Sequence, residues 1–169
     1  MNIDLSDFHE EDVLSIHIEG ELKKDALDIN GRKIKFIKPI KYEGDIYRAQ
    51  GDKILQVKIH YEYKEVCGRC LSPFIREEDT VLSGRLIRNS DEILDEEDEV
   101  IYYDGEELDI TEDIRDMVIL SLPMKPLCSD TCKGLCPKCG TNLNEEKCNC
   151  VLEEIDPRLE KLREFVPKE

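Results

Sequence analysis

The sequence predicts an α+β protein: an antiparallel β-sheet body, one or two packed helices, and a C-terminal Cys-rich module that ends in a short helix. Three observations carry this. Apolar and polar residues alternate with period two through much of residues 40–86. Two later segments carry helix start and stop signals instead. Six of the eight cysteines fall within residues 128–150.

The elements follow in chain order. Ile40, Tyr42, Gly44 and Ile46 alternate with polar residues, as do Leu55, Val57, Ile59, Tyr61 and Tyr63. Gln50-Gly51-Asp52 supplies turn chemistry between them, so the two runs read as a long hairpin. Thr80, Leu82, Gly84 and Leu86 make a third run. Val100–Tyr103, an Asp104-Gly105 turn, then Leu108 and Ile110 suggest a further small hairpin. The sheet expected from pattern alone has about four or five strands. Asp109-Ile110-Thr111-Glu112 resembles a capping box, Ile114, Met117, Val118 and Ser121 share a helical face, and Pro123 stops the helix. Near the end, Asp156 caps, Pro157 takes the first turn, and Leu159, Leu162 and Phe165 form one apolar stripe. The 169 residues therefore read as a β-rich acidic domain, 1–126, and a Cys-rich module, 127–169. Residues 1–35 carry no motif that assigns them.

Net charge is -16, with 40 acidic and 24 basic residues. This argues against a whole-surface polyanion binder. The charge is segregated: residues 89–116 hold fourteen acids and one base, Arg115. Ser90–Glu99 reads as a solvated loop or as a docking surface for a basic partner. Gly31–Tyr42 holds Arg32, Lys33, Lys35, Lys38 and Lys41 and no acid. Those cations are either solvated or placed to touch phosphates. The acidic N-terminal stretch lacks the basic start and long apolar run of a signal peptide, and Met117–Met124 is too short to span a bilayer. The expected setting is cytosolic, with thiols reduced.

The cysteine spacings are Cys67-x2-Cys70, Cys128-x3-Cys132-x3-Cys136-x2-Cys139 and Cys148-x-Cys150. Cys136-Pro-Lys-Cys139-Gly140 has the form of a zinc knuckle: a tight turn aims backbone N–H groups at two thiolates that share one metal. Gly140 and two Asn return the chain to Cys148 and Cys150, which makes Cys136, Cys139, Cys148 and Cys150 one zinc-ribbon-like ligand set. Cys67, Cys70, Cys128 and Cys132 allow a second zinc that pins the module to the sheet. Otherwise Cys128 and Cys132 are spare, or one replaces a ligand of the first site. A lone Cys-x2-Cys also suits thiol redox work, but no helix pattern opens after Cys67. His9, His17 and His60 lie outside the cluster, and an all-thiolate centre is closed and a poor Lewis acid. Neither a phosphate-binding Gly-rich loop nor a Gly-x-Ser-x-Gly motif is present, so no enzyme activity is expected.

Several phrases recur together in one known family. They are Cys67-Gly68-Arg69-Cys70-Leu71 with Pro73-Phe74, Asp109-Ile110-Thr111 leading to Leu122-Pro123, and the block Cys132-Lys133-Gly134-Leu135-Cys136-Pro137-Lys138-Cys139-Gly140. Asn142-Leu143-Asn144, Cys148-x-Cys150 and Asp156-Pro157-Arg158 follow. Over roughly residues 40–165 the chain resembles the YceD family of large ribosomal RNA subunit accumulation proteins. The resemblance implies a cytoplasmic ribosome-biogenesis factor that supports processing or accumulation of 23S rRNA, with a structural rather than catalytic metal. The partners it implies are a basic ribosomal protein, 23S rRNA, or both, with no membrane and no small-molecule substrate. Two other readings stand beside it: a zinc-ribbon adaptor between proteins with no RNA role, and a thiol redox or metal-sensing protein using Cys67 and Cys70.

Overall fold

The computed structural model describes residues 2–10, 12–23, 26–29, 31–49, 51–89 and 99–150. Nine strands and one α-helix occur among them. The strands are β1 (Asn2–Asp4), β2 (Ser15–Leu22), β3 (Ala26–Ile29), β4 (Arg32–Phe36), β5 (Ile40–Ala49), β6 (Asp52–Val66), β7 (Pro73–Arg88), β8 (Val100–Tyr103) and β9 (Glu107–Asp109); the helix is α1 (Thr111–Ser121).

The body is organised around the β6–β7 hairpin. It is antiparallel and paired from Lys53↔Leu86 at one end to Val66↔Pro73 at the other. The free edge of β6 is shared: β5 takes Asp52–His60, and β4 takes Tyr63 and Lys64. Strand β2 extends the sheet beyond β5, and β3 extends it beyond β4. On the far side, β8 joins β7 in parallel. The result is a curled, mostly antiparallel half-barrel.

Period two explains the core. Leu55, Val57, Ile59, Tyr61 and Tyr63 all point inward and are fully buried. Ile40, Tyr42 and Ile46 of β5 join them. Gly44 completes that inner row because a Cβ there would sit 2.1 Å from the Gln56 carbonyl oxygen. A glycine at such an approach lets the sheet bend tightly. Helix α1 buries Ile114 and Val118 against this same core. Ser121 donates to the Val118 carbonyl at 2.9 Å, so the buried Tyr61 hydroxyl donates to Ser121 Oγ at 2.7 Å. Leu122, extended at ψ 134°, and Pro123 end the helix where the sequence places its stop.

This corrects the expected α+β body with one or two packed helices: the fold is dominated by β-sheet. The physical reason lies in the N-terminal third. Short runs such as Ile16 and Ile18, Leu27 and Ile29, and Ile34 and Phe36 are too brief to stand out in sequence. Each becomes a strand only because a neighbour offers an edge to pair with: β5 for β2, β6 for β4, and β4 for β3. The final helix expected over Asp156–Phe165 lies outside the described residues. A second correction concerns Asp104-Gly105. The turn forms, with Gly105 at φ +60° and Glu107 donating to the Asp104 carbonyl at 3.0 Å. Asp104 and Glu107 form a single antiparallel bridge there, and the expected hairpin pairs no further. Instead β9 pairs with β1, setting Leu108 opposite Ile3, and both side chains are buried.

Candidate metal centres

The β6–β7 hairpin closes through Cys67–Ser72, so the first Cys-x2-Cys is the turn of the longest ladder in the molecule. Cys67 N–H donates to the Ser72 carbonyl at 3.0 Å, and Leu71 N–H donates to the Cys67 carbonyl at 3.0 Å. The second Cys-x2-Cys repeats this pattern. Cys136 N–H donates to the Thr141 carbonyl at 2.8 Å, and Gly140 N–H to the Cys136 carbonyl at 2.9 Å. The residue after the second cysteine is left-handed in both: Gly140 at φ +74° and Leu71 at φ +57°. The two turns are the same knuckle, with a leucine in one of the glycine positions.

The structure brings all eight cysteines together in two quartets. Cys67, Cys70, Cys128 and Cys132 form one; Cys136, Cys139, Cys148 and Cys150 form the other. Within each, the sulfurs lie within 4.8 Å of one another. Cys67 Sγ is 3.8 Å from Cys132 Sγ, and Cys70 Sγ is 3.7 Å from Cys128 Sγ. A disulfide needs about 2.05 Å. The edge of a tetrahedron with metal–sulfur bonds of about 2.3 Å is about 3.8 Å. The first quartet fits that tetrahedron. Cys128 and Cys132 are therefore neither spare nor substitutes in the second quartet.

Backbone and side-chain donors surround the sulfurs. Burial pushes the Cys67 thiol up, but N–H groups at Cys70, Arg69 and Cys128 outweigh it and bring the thiol down to about 6. Cys139 is drawn down to about 6, chiefly by the Thr141 hydroxyl at 3.1 Å and the Thr141 N–H. Cys128 is pushed up to about 12, first by its bond to Cys132 and then by burial. Cys150 is pushed up to about 12 by its bond to Cys139 and by burial. Readily ionised thiols beside others that would lose a proton on binding are a donor set that could hold a divalent cation.

The quartets are welded to each other and to the sheet. Gly68 N–H donates to the Pro126 carbonyl at 2.8 Å, and Leu135 N–H to the Arg69 carbonyl at 3.2 Å. Arg69 Nη1 donates to the Cys132 carbonyl at 3.0 Å. Asn144 Nδ2 donates to Cys132 Sγ at 3.3 Å, and Asn142 Nδ2 to Ser72 Oγ at 3.3 Å. Sequence reasoning treats these two asparagines as turn residues; the structure makes them the ties between the C-terminal quartet and the hairpin quartet. Their Asn-x-Asn spacing inside a cysteine cluster, and its place among the family phrases, are the signals that pointed to them. A further tie lies beside Cys67. The buried Glu65 takes a two-pronged bond from Arg32, whose Nη1 donates to the Pro123 carbonyl at 2.7 Å. Arg32 is thus a structural clamp.

The charged stretches resolve in part. Lys38 pairs with Glu62 at 2.6 Å and Lys41 with Glu21 at 3.6 Å. Lys33 and Lys35 are exposed. Most of the acidic run, residues 90–98, lies outside the described residues, Ile93 and Leu94 included. Of the apolar neighbours that a docking surface there would use, Ile101 is buried and Tyr102 is 45% exposed. Among the described residues no helix is long and apolar enough to cross a membrane.

A curled sheet whose longest hairpin ends in a cysteine knuckle, stitched to a second knuckle by a short Cys-rich segment, defines a β protein organised around paired tetrathiolate clusters. The chain belongs to the YceD family: the family described as large ribosomal RNA subunit accumulation protein YceD matches residues 55–166, which span both quartets. It is similar to the large ribosomal RNA subunit accumulation protein YCED homolog 1, chloroplastic, of Arabidopsis thaliana, with 50% identity over 50 residues, 30% of this chain and 16% of that one. It is also similar to an uncharacterized protein of Mycobacterium tuberculosis (strain ATCC 25618 / H37Rv), with 42% identity over 106 residues, 61% of this chain and 50% of the relative. The chain thus spans half or less of the length of these relatives. No solved structure matches it.

Proposed function

We propose that the chain supports accumulation of large-subunit (23S) ribosomal RNA as a cytoplasmic, non-enzymatic binding protein, with a zinc ion held by each quartet. The observation that carries this is the pair of all-cysteine quartets in a chain of the YceD family. Four sulfurs fill a tetrahedral metal's coordination and leave no position for substrate, so the ions supply folding energy rather than chemistry. Cys67, Cys70, Cys128 and Cys132 would hold one, and Cys136, Cys139, Cys148 and Cys150 the other. The metals would fix the module against the hairpin and so present one rigid surface to an assembling subunit. The partners are precursor components of that subunit: a basic ribosomal protein, 23S rRNA, or both.

The test is depletion in growing cells, read as the ratio of large- to small-subunit rRNA. The ratio is expected to fall and to recover with the wild-type chain but not with Cys70→Ser. An unchanged ratio on depletion would overturn the proposal. Elemental analysis of the purified chain is expected to give two zinc per molecule.

A further inference from the structure

Resting on the reading above, one patch of the outer sheet face names how RNA would be held. Three of the five cations in Gly31–Tyr42 are committed: Arg32 to Glu65, Lys38 to Glu62 and Lys41 to Glu21. Lys33 and Lys35 make no ion pair with any described residue. The register then sets Lys35 directly opposite Lys64 of β6, which has none either. All three lysines are exposed, whereas the alternating Ile34, Tyr63 and Glu65 are buried, so the lysines share the outer face. Like charges directly opposite on a sheet repel at Cβ separations of about 5 Å.

Carboxylates on the same face offer partial relief only: Glu62 and Glu77 lie one step along from Lys64, facing each other, and Lys38 takes Glu62. In the same row Ala26 lies opposite Lys35 and Ile75 opposite Lys64. Asp28 lies opposite Lys33 yet makes no ion pair with it, its Oδ1 accepting the Gly31 N–H at 2.9 Å. Elsewhere on this face the lysines are matched: Lys41 meets Glu21, and Lys58 meets Asp79, which also bonds His60. In a chain of net charge -16, a facing pair of lysines without an ion pair to any described residue costs stability and gains nothing inside the fold. Exposed Val66 and Ile75, at 51% and 59%, flank them and offer apolar contact to sugars and bases.

We propose that Lys33, Lys35 and Lys64, with Val66 and Ile75 beside them, bind the phosphate backbone of ribosomal RNA. A basic ribosomal protein is repelled by this face, which separates it from any acidic surface that would capture such a protein.

The experiment titrates the full, metal-loaded chain with a labelled transcript of the large-subunit rRNA precursor across a range of salt. The variant carries Lys33→Gln, Lys35→Gln and Lys64→Gln together. Each single-strand phosphate contact contributes a slope of about 0.7 in log K against log salt. The variant is expected to lose about tenfold or more in affinity, with a slope shallower by about 2. Its zinc content should equal wild type and its melting temperature should equal or exceed it, because a repulsive pair is gone. Wild-type affinity and slope in the variant would overturn this surface while leaving the depletion result standing. Absence of RNA binding by the wild-type chain would overturn it as well. Binding to poly-glutamate in preference to RNA, lost in the variant, would assign the face to an acidic protein and overturn the RNA reading. Failure of the depletion test is a separate outcome, because it does not depend on direct RNA contact.

Discussion

Leu71 and Gly140 occupy equivalent positions in the two knuckles, and only one is suited to it. A non-glycine residue in the left-handed region carries a cost of roughly 1–2 kcal/mol. Leu71 bears it while 64% exposed, so packing returns little. Leu71→Gly is expected to stabilise the chain by up to about 1 kcal/mol, the gain being reduced by the greater freedom of glycine when unfolded. Leu71→Val should destabilise by about the same amount, since β-branched residues fit that region worst. Thermal denaturation of the metal-loaded protein separates the two; equal melting points would mean the turn is set by the metal ligands alone. Arg32 makes a second prediction at this scale. Glu65 is 4% exposed at its side chain, so Arg32→Ala leaves a buried carboxylate unpaired at a cost of about 3–5 kcal/mol. Replacing both residues by methionine should recover most of that loss in urea titrations.

At the scale of elements, the β6–β7 hairpin and α1 do different work. The hairpin delivers Cys67 and Cys70 to the first quartet, while α1 leads through Pro123 towards Cys128 and Cys132. Cys70→Ser and Cys139→Ser are each expected to lower bound zinc from two equivalents to one, by elemental analysis. Their other effects should differ. Cys70→Ser should release the C-terminal segment from the sheet, seen as faster proteolysis near residue 127. Cys139→Ser should disorder the second knuckle and leave the hairpin quartet loaded. Identical metal content in either variant and wild type would remove that cysteine from the ligand set. Ile114→Ala, which empties a fully buried site of α1, should cost roughly 2–5 kcal/mol without changing metal content.

For the whole molecule the governing feature is segregation of charge. Residues 89–116 hold fourteen acids against one base, while the outer sheet face leaves three lysines without an ion pair among the described residues. Fields of this kind raise association rates by roughly 10- to 1,000-fold and weaken steeply with salt. Neutralising Asp95, Glu96, Glu97, Asp98 and Glu99 is expected to slow capture of a basic ribosomal protein without lowering the melting temperature. Stopped-flow association at low and high salt measures this; a rate equal to wild type at low salt would reduce the stretch to a solvated loop. Chelation should act globally, because Gly68, Arg69, Leu135, Asn142 and Asn144 tie the two quartets into one block.

Much was legible before any coordinates. Alternation from Ile40 to Tyr63 marked the core row of β5 and β6, and Pro123 marked the end of α1; the expected capping box did not form, since Ile110 is the N-cap without a side-chain bond and Asp109 Oδ1 accepts the Thr111 N–H instead. The cysteine spacings marked both knuckles, because a metal-binding turn is a local object written in consecutive residues. The partners of Cys67 and Cys70 were not local: Cys128 lies about sixty residues away, and only the path of the chain through α1 and Pro126 closes that quartet. The short strands before β5 were obscure for the same reason, since a four-residue strand is stable only on the edge that receives it. Likewise, the five cations of Gly31–Tyr42 look alike in sequence. The fold made Arg32 a half-buried clamp and paired Lys38 and Lys41 with carboxylates. It also set Lys35 against Lys64, because side chains on a sheet meet the residue opposite, not the residue next in the chain.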